Sequence, residues 1–267
     1  MRDSVTMGSL TDALLLFIST TMVRDSNYDI ALEMVKNIRK LRGMSIDEVA
    51  DMCHVSKASI SRFCRFIGFS NFKEFKEYSE LDFSIKSDYT KQFLKELDND
   101  MTSAIDLYKE SLIENVDNVL NEKMLHQIES VAKEINRHKR TAFFGQYFFQ
   151  NVGLFFQSKM MLMGKYVEAF TNFDGQMTCA ESLNKDSVAI ICTVGGSYLT
   201  RHDEIWEKIV ASGCTIVVIT QNTGSIYFNQ ADYILQCGTR NNEGSGKYAA
   251  MMLLDYLIAV YMKHYDE

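Results

Sequence analysis

The segment over residues 45–68, SIDEVADMCHVSKASISRFCRFIG, restricts the fold of this chain more than any other stretch. Ser45 and Glu48 have the S-x-x-E spacing of a capping box, which marks the start of a helix. Ser56 is placed to cap a second helix, and Gly68 can end that helix in the left-handed conformation. The segment therefore predicts two helices joined by a tight turn, a helix-turn-helix. Apolar residues recur in both helices at the spacing i, i+3, i+4 and i+7: Ile46, Val49, Ala50 and Cys53, then Ile60, Phe63, Cys64 and Ile67.

The face of the second helix that lies opposite its apolar residues has the chemistry of a DNA contact. In a helix-turn-helix, the second helix enters the major groove and its N-terminal residues reach the base edges. Residues 53–76 contain five lysines and arginines and one glutamate, so this segment is basic by 5 − 1 = 4 charges. The alternative is a small helical bundle whose solvated face is basic. The candidate DNA contacts, which are hydroxyl, small or basic side chains, are Ser56, Lys57, Ala58, Ser59, Ser61, Arg62 and Arg65.

Composition limits the remaining classes of protein. The chain has 267 residues, enough for two domains, and a formal net charge of −7, so any DNA-binding surface must be local. Its six cysteines form no C-x-x-C pair and its five histidines have no ligand spacing, so neither a metal site nor a cofactor is expected. There is no secretory signal and no apolar run of membrane-spanning length, so a cytoplasmic protein without a membrane partner is expected.

The expected domains are an all-α helix-turn-helix domain over residues 1–82, a helical linker over 83–122 and an α/β domain over 123–267. In the α/β domain, helices alternate with apolar runs such as Ser187–Thr193 and Thr215–Thr220, which predicts a doubly wound parallel sheet. The linker has a thin apolar seam and is a candidate dimer helix, although a solvated spacer explains the pattern almost as well. The seam consists of Met101, Ile105, Tyr108, Leu112, Val116 and Val119.

Loops at the carboxyl ends of the strands are the candidate ligand site, because ligands of doubly wound sheets bind there. Paired glycines let backbone N–H groups approach a phosphate, and hydroxyl side chains add donors. The alternative is that each loop is only a tight strand-to-helix turn, and neither G-x-G-x-x-G nor a Walker loop occurs. The candidate ligand residues are Gly145 and Gln146 after the first strand, Thr193, Gly195, Gly196 and Ser197 after a later strand, and Glu243 before a Gly-Ser-Gly loop.

The sequence resembles the RpiR/MurR family of bacterial regulators over nearly its whole length. Residues 55–76, VSKASISRFCRFIGFSNFKEFK, are similar to the family stretch V-S-x-A-T-V-x-R-F-x-x-x-L-G-F-x-G-F-x-x-F-K. Residues 188–198, 216–220 and 250–257 resemble segments of a sugar isomerase (SIS) domain. The resemblance implies a first domain that binds operator DNA and a SIS domain that senses a phosphosugar and forms a dimer.

The sensing loops depart from the family pattern. Residues Gly145–Phe149 stand where the family has G-x-G-S-S, so bulky rings replace a glycine and two serines. In the second loop, Thr193 and Gly195 stand for serines and Tyr198 stands for a threonine. Phosphate could still bind through Thr193, Ser197 and backbone N–H groups. The alternatives that the lost hydroxyls suggest are a pocket that binds a different ligand and a pocket that has closed around aromatic side chains.

The favoured hypothesis is a transcriptional regulator of sugar or amino-sugar metabolism that forms a homodimer or tetramer. A phosphosugar-like ligand, or protein contacts through a degenerate SIS domain, would control it. Catalytic residues are not expected, so the chain is not expected to be an enzyme. The alternative is a sugar-phosphate isomerase or lyase with an added helical domain, for which only His202 or Glu243 could be the general base.

Overall fold

The computed structural model describes residues 10–80, 89–239, 241 and 244–266. The candidate ligand residue Glu243 lies outside these residues. Contacts divide the chain into two compact units. The first comprises Met1–Phe83 and Thr171–Asp174, and the second comprises Ser84–Phe170 and Gly175–Glu267.

The described part of the first unit is helical, as predicted. Its core centres on Met34, Ile60, Phe63 and Phe75, each of which is at most 1% exposed. Packing of one apolar stripe from each helix onto this core is what holds so short a domain together. The helices are α1 (Leu10–Thr20), α2 (Ser26–Lys36), α3 (Ile38–Leu41), α4 (Ile46–Met52), α5 (Lys57–Phe66) and α6 (Phe72–Glu80).

The second unit contains two further helices, α7 (Lys91–Asn99) and α8 (Met101–Val119), followed by alternating helices and strands. The strands are β1 (Arg140–Phe144), β2 (Val167–Ala169), β3 (Ser187–Cys192), β4 (Thr215–Thr220) and β5 (Tyr233–Gln236). The remaining helices are α9 (Glu122–Arg137), α10 (Phe148–Leu162), α11 (Phe173–Ser182), α12 (Ser197–Arg201), α13 (Asp203–Ala211), a 3-10 helix (Ile226–Gln230) and α14 (Gly246–Tyr265).

The described strands form one parallel sheet in the order β2-β1-β3-β4-β5. Every residue of β3 is buried, as expected for a central strand with both faces covered. The predicted fold class, a helical helix-turn-helix domain plus a doubly wound parallel α/β domain, is confirmed. In this strand order the chain direction across the sheet reverses between β1 and β3, which is the position where such folds bind ligands.

Met101 and Ile105, at the N-terminal end of the predicted linker seam, are both 59% exposed, so this part of the seam does not pack within the second unit. The residues of α8 that are buried are instead Ala104, Ser111, Asn115 and Val119, and two of these are polar. Hydrophobic periodicity cannot identify a buried face that is held by hydrogen bonds. The linker was also expected to be a single helix, but Asp100 ends α7 and caps α8 by accepting the Thr102 N–H at 3.0 Å.

A comparison of two glycines tests how tightly α8 is fitted to the second unit. Gly238 and Gly213 both have positive φ, +80° and +67°. A Cβ at Gly238 would lie 2.2 Å from Asn115 Oδ1, whereas a Cβ at Gly213 would meet no described atom within 4 Å. We expect Gly238→Ala to lower the free energy of unfolding by about 2–4 kcal/mol and Gly213→Ala by about 1 kcal/mol, because only the first adds overpacking to backbone strain. Urea unfolding followed by circular dichroism measures both, and equal losses would contradict the close fit at Asn115.

Candidate functional site

The first helix of the helix-turn-helix begins with the predicted capping box. Ser45 Oγ accepts the Glu48 N–H at 3.3 Å, and the Glu48 carboxylate accepts the Ser45 N–H at 2.7 Å. These hydrogen bonds from Ser45 lower the pKa of the Glu48 carboxyl group. The turn that follows contains His54 in the left-handed conformation (φ +53°), and the Val55 N–H then returns to Ala50 O at 2.9 Å. The predicted tight turn is therefore present.

A chain of hydrogen bonds along the N-terminal turn of α5 holds Arg62 in place. Ser56 caps the helix by accepting the Ser59 N–H at 3.1 Å, and its hydroxyl lies 3.0 Å from Ser59 Oγ. Arg62 Nη2 in turn donates to Ser59 Oγ at 3.1 Å. Lys57 forms an exposed ion pair with Asp47 of α4.

The candidate DNA residues lie together on one side of α5. Ser56, Lys57, Ala58, Arg62 and Arg65 are exposed, and Ser59 and Ser61 are half-buried. The opposite side packs into the core through the buried residues Ile60, Phe63 and Cys64. Of the predicted apolar stripe only Ile67 is half-buried rather than buried, because it lies just beyond the helix end.

The second candidate site lies at the carboxyl ends of β1 and β3. A Cβ at Gly145 would lie 2.8 Å from Phe149 Cβ and 3.3 Å from Cys192 O, so only glycine allows this close approach to the end of β3. Gln146 is buried, and its Nε2 donates to Ser197 Oγ at 3.0 Å. Gln146 Oε1 has no hydrogen-bond partner among the residues that the structure describes.

The second loop is tied to the first through Tyr198. Tyr198 is fully buried, its hydroxyl donates to Gln176 Oε1 at 2.7 Å, and Gln176 Nε2 donates to Gly145 O at 2.8 Å. Burial raises the pKa of the Tyr198 phenol well above its ordinary value, so it remains a donor at neutral pH. Thr193 Oγ1 accepts the Tyr198 N–H at 3.4 Å. The predicted loop residues are thus brought together, but their side chains already bond within the protein.

The two glycines of the second loop differ in environment. Gly196 is buried with φ +83°, whereas Gly195 is exposed and its carbonyl accepts from Asn222 Nδ2 at 3.4 Å. Asn222 follows β4, so the loop after β4 also reaches this end of the sheet.

Sequence reasoning missed two residues beside these loops, Tyr147 and Arg201. Arg201 Nη1 donates to the Tyr147 hydroxyl at 2.5 Å, and the guanidinium carbon lies 5.8 Å from the centre of the Tyr147 ring. Tyr147 has φ +54° and ψ −119°, a conformation that glycine favours in turns. Tyr147 and Arg201 are 54 positions apart in the sequence. The one signal that could have suggested the pair is that Tyr147 follows β1 and Arg201 follows β3, two strands whose carboxyl ends meet at the same edge of the sheet.

A buried polar cluster of Ser111, Asn115 and Ser245 joins α8 to the start of α14. Ser111 Oγ is 2.6 Å from Ser245 Oγ, and Asn115 Nδ2 donates to Ser245 Oγ at 3.2 Å. Asn115 Oδ1 accepts the Thr239 N–H at 3.2 Å. These bonds fix α8 to both sides of the loop between β5 and α14.

His202, one of the two candidate bases, is half-buried and its ring centre lies 5.4 Å from that of Tyr198. Burial, with a smaller effect of the Arg201 charge, lowers its pKa to about 4. A general base works best when its pKa is near the working pH, so this imidazole is a poor base at neutral pH.

Within the described residues, no group of three or more His, Cys, Asp or Glu side chains is arranged to hold a metal ion. None of the described helices is both long and apolar enough to cross a membrane.

Comparisons with known proteins agree with this architecture. Residues 20–86 match the model of the helix-turn-helix domain of the rpiR family. The chain shares a fold with the NanR protein of Vibrio vulnificus complexed with ManNAc-6P, with 14% identity, a TM-score of 0.52, and coverage of 94% of this chain and 92% of that one. A search of curated proteins gives no match.

Two other solved structures match with lower TM-scores. The sugar isomerase domain of an RpiR transcription factor from Sphaerobacter thermophilus has 17% identity and a TM-score of 0.44, covering 58% of this chain and 91% of its own. A phosphoheptose isomerase from Francisella tularensis has 14% identity and a TM-score of 0.47, covering 62% and 97%.

The capped helices, the turn and the exposed basic face define the N-terminal region as a DNA-binding helix-turn-helix domain. This domain belongs to the rpiR family, which confirms the resemblance of residues 55–76.

The lowered pKa of His202 predicts a pH dependence of stability. The unfolded chain binds a proton at this imidazole below its ordinary pKa of 6.5, whereas the folded chain binds it only near pH 4. The free energy of unfolding should therefore fall as the pH decreases from 6.5 to 4, with a contribution of about 1–3 kcal/mol from this residue.

Chemical denaturation at several pH values measures this effect. His202→Gln should flatten the slope between pH 6.5 and 4 relative to that of the unmodified chain. An unaltered slope in His202→Gln would contradict the assignment.

Proposed function

We propose that this protein is a homodimeric transcriptional regulator that binds operator DNA through α5 and responds to a ligand at the loops after β1 and β3. The observation that carries the proposal is the rpiR-family helix-turn-helix domain, whose second helix is capped and has exposed arginines on its outer side. The regulated genes would concern sugar or amino-sugar metabolism. A regulator that acts on DNA would work in the cytoplasm, and the six free cysteines suit a reducing compartment.

Arg62 and Arg65 are the proposed main contacts. Both are exposed one turn apart on the outer side of α5, and Arg62 is oriented by the Ser59 and Ser56 hydroxyls before DNA arrives. An oriented side chain loses less conformational entropy on binding. Ser56, Lys57 and Ala58 are exposed at the N-terminal turn, the part of such a helix that reaches base edges, and Ser59 and Ser61 complete the surface.

A sugar-phosphate-like ligand is proposed on two grounds. The loops lie at the reversal point of the sheet between β1 and β3, where ligands of doubly wound folds bind. NanR, which has a similar fold, was solved with ManNAc-6P. The proposed contacts in the described residues are Gly145, Gln146, Thr193, Gly195, Gly196 and Ser197; Glu243 remains a sequence-based proposal. A domain controlled only by protein contacts is the competing form of this proposal.

Regulation is favoured over sugar-phosphate isomerisation because the helix-turn-helix domain is that of a regulator family, and because His202, one of the two candidate bases, has a pKa lowered to about 4 and is poorly suited to act as a base at neutral pH. Retention of isomerase activity by the purified chain, and its loss in His202→Gln, would reverse this preference.

Selection of genomic fragments by the purified protein at near-physiological salt tests the DNA-binding proposal. A dimer with two helices in successive major grooves should enrich palindromic sites whose half-sites lie about one helical turn, or a multiple of it, apart. Arg62→Ala and Arg65→Ala should each weaken binding to the enriched site about 5- to 100-fold. Lys133→Ala, which removes an exposed charge from the second unit, is the matched control and should bind normally. No enriched site, or equal affinity of all variants at the same salt, would refute the proposal.

Self-association is proposed to use the exposed face of α10. Phe148, Leu154, Phe155, Met161 and Leu162 are 39–79% exposed, and Lys159 is the one charged residue in the helix. Depletion of charge and exposed aromatic side chains are features of interface cores. Five large side chains at about half exposure supply roughly 500 Å² per copy, a large part of the roughly 800 Å² that each partner buries in a standard interface.

The linker helix predicted as a dimer helix offers a weaker surface. Exposed Met101, Ile105 and Ile113 of α8 are interspersed with the acidic residues Asp106, Glu110 and others. Like charges at such a surface would disfavour a second copy of the same helix.

Sedimentation equilibrium of the full chain tests which surface is used. Phe155→Glu should shift the protein toward monomer by placing a charge in the apolar interface, whereas Ile105→Glu, an equivalent change on α8, should leave the dimer intact. Dissociation by Ile105→Glu alone would assign the interface to α8, and a monomeric unmodified protein would refute self-association.

A further inference from the structure

We propose that Asp47 determines the DNA selectivity of the helix-turn-helix by neutralising Lys57, which keeps this lysine from adding affinity for DNA of arbitrary sequence. The inference rests on the proposed DNA binding and names a residue that sets its specificity. Asp47 itself lies outside α5, in the first turn of α4.

Two cations of α5 are held by different kinds of partner. The helix contains Lys57, Arg62 and Arg65 and no acidic residue of its own. Arg62 donates to the Ser59 hydroxyl, which is neutral, so this arginine is oriented while its positive charge is left uncompensated by that contact. Lys57 instead forms an ion pair with the Asp47 carboxylate. One of the three positive charges of the helix is thus neutralised from a neighbouring element.

Folding stability does not account for this pair. Both side chains are more than half exposed, and exposed ion pairs contribute little to stability. A carboxylate in the first turn of a helix is favourable even without a lysine partner. Because Asp47 contacts the first residue of α5, its carboxylate also lies beside the surface proposed to meet DNA, where negative charge costs affinity. A role in DNA binding is therefore the better explanation.

The release of counterions shows how Asp47 would act on arbitrary sequences. A lysine that binds a DNA phosphate releases a cation condensed on the DNA, and this release supplies nearly all of the sequence-independent affinity. Lys57 must leave Asp47 before it can bind a phosphate. The carboxylate left behind then attracts a cation from solution, which offsets the cation released from the DNA. While Asp47 is present, Lys57 therefore adds almost no net counterion release.

Operator binding would be affected much less. Once such a helix is seated in the major groove, its N-terminal residues face base edges rather than phosphates. Lys57 is the first residue of α5, so in the seated complex it can keep its pair with Asp47. Asp47 thus weakens binding to arbitrary sequences while leaving operator binding nearly unchanged, and the ratio of the two affinities rises.

Fluorescence anisotropy with the full chain at several salt concentrations tests the inference. The two probes are the operator enriched by genomic selection and a scrambled duplex of the same length and composition. Asp47→Asn should bind the scrambled duplex about 2- to 5-fold more tightly, because no ion pair opposes the release of Lys57. The slope of log affinity against log salt should become more negative by about 0.9 for this duplex. Operator affinity should change by less than about twofold.

Two further variants control for charge. Asp47→Glu retains a carboxylate and should behave like the unmodified chain. Asp51→Asn removes another exposed carboxylate from α4, so it changes the net charge of the chain by the same amount as Asp47→Asn. This matched control should leave the salt slope unchanged.

A double variant shows whether Asp47 acts through Lys57. In a Lys57→Ala chain, the added change Asp47→Asn should leave the affinity for the scrambled duplex unaltered. Direct repulsion between Asp47 and phosphate predicts the same gain as in the unmodified chain. A purely structural role for Asp47 predicts weaker binding of Asp47→Asn to both duplexes.

Four outcomes would overturn the inference: an unchanged salt slope in Asp47→Asn, the same change of slope in Asp51→Asn, a gain that persists without Lys57, or equal gains on both duplexes. The salt slope on the scrambled duplex is measured without an operator. An unchanged slope therefore refutes the role of Asp47 alone, whereas the absence of any enriched genomic site refutes the regulator proposal.

Discussion

The fit of Asn115 against Gly238 is the contact on which the carboxyl edge of the second unit depends. The Asn115 side chain occupies the space that a Cβ at position 238 would need, and it bonds to Thr239 N–H and Ser245 Oγ on the two sides of one loop. A buried amide is stable only when its hydrogen bonds are made, so the position of α8 and the ends of β5 and α14 are set together. Because α8 follows the first unit in the chain through α7, the helix fixed by this contact is also the connection toward the DNA-binding domain.

A second set of buried bonds joins the loops after β1 and β3. Tyr198 stands where the resembling family has a threonine, and its longer side chain reaches Gln176, which holds Gly145 O. The two hydroxyls that remain in the second loop also bond to neighbouring residues, since Thr193 Oγ1 accepts the Tyr198 N–H and Ser197 Oγ accepts from Gln146 Nε2.

The features that could be predicted from the sequence are those that depend on residues close together in the chain. The capping box at Ser45, the cap at Ser56 and the stripe through Phe63 depend on residues within a few positions of one another, and all three are present. The buried strands were equally clear, because β3 and β4 are continuous apolar runs. What was missed depends on distant partners or on weak patterns. The polar buried face of α8 requires Ser245, 130 positions beyond Asn115. Arg201 was not associated with Tyr147, and α11 carries too few apolar residues to show a helical period.

Charge distribution indicates how such a protein would choose its DNA. The whole chain carries a formal net charge of −7, so a weak, uniform attraction to phosphate cannot dominate binding. Affinity must come from the few cations of α5 acting together with base contacts, and a single copy provides only one such helix. The proposed dimer would double these contacts at a fixed spacing, and this would convert a modest local surface into selective binding.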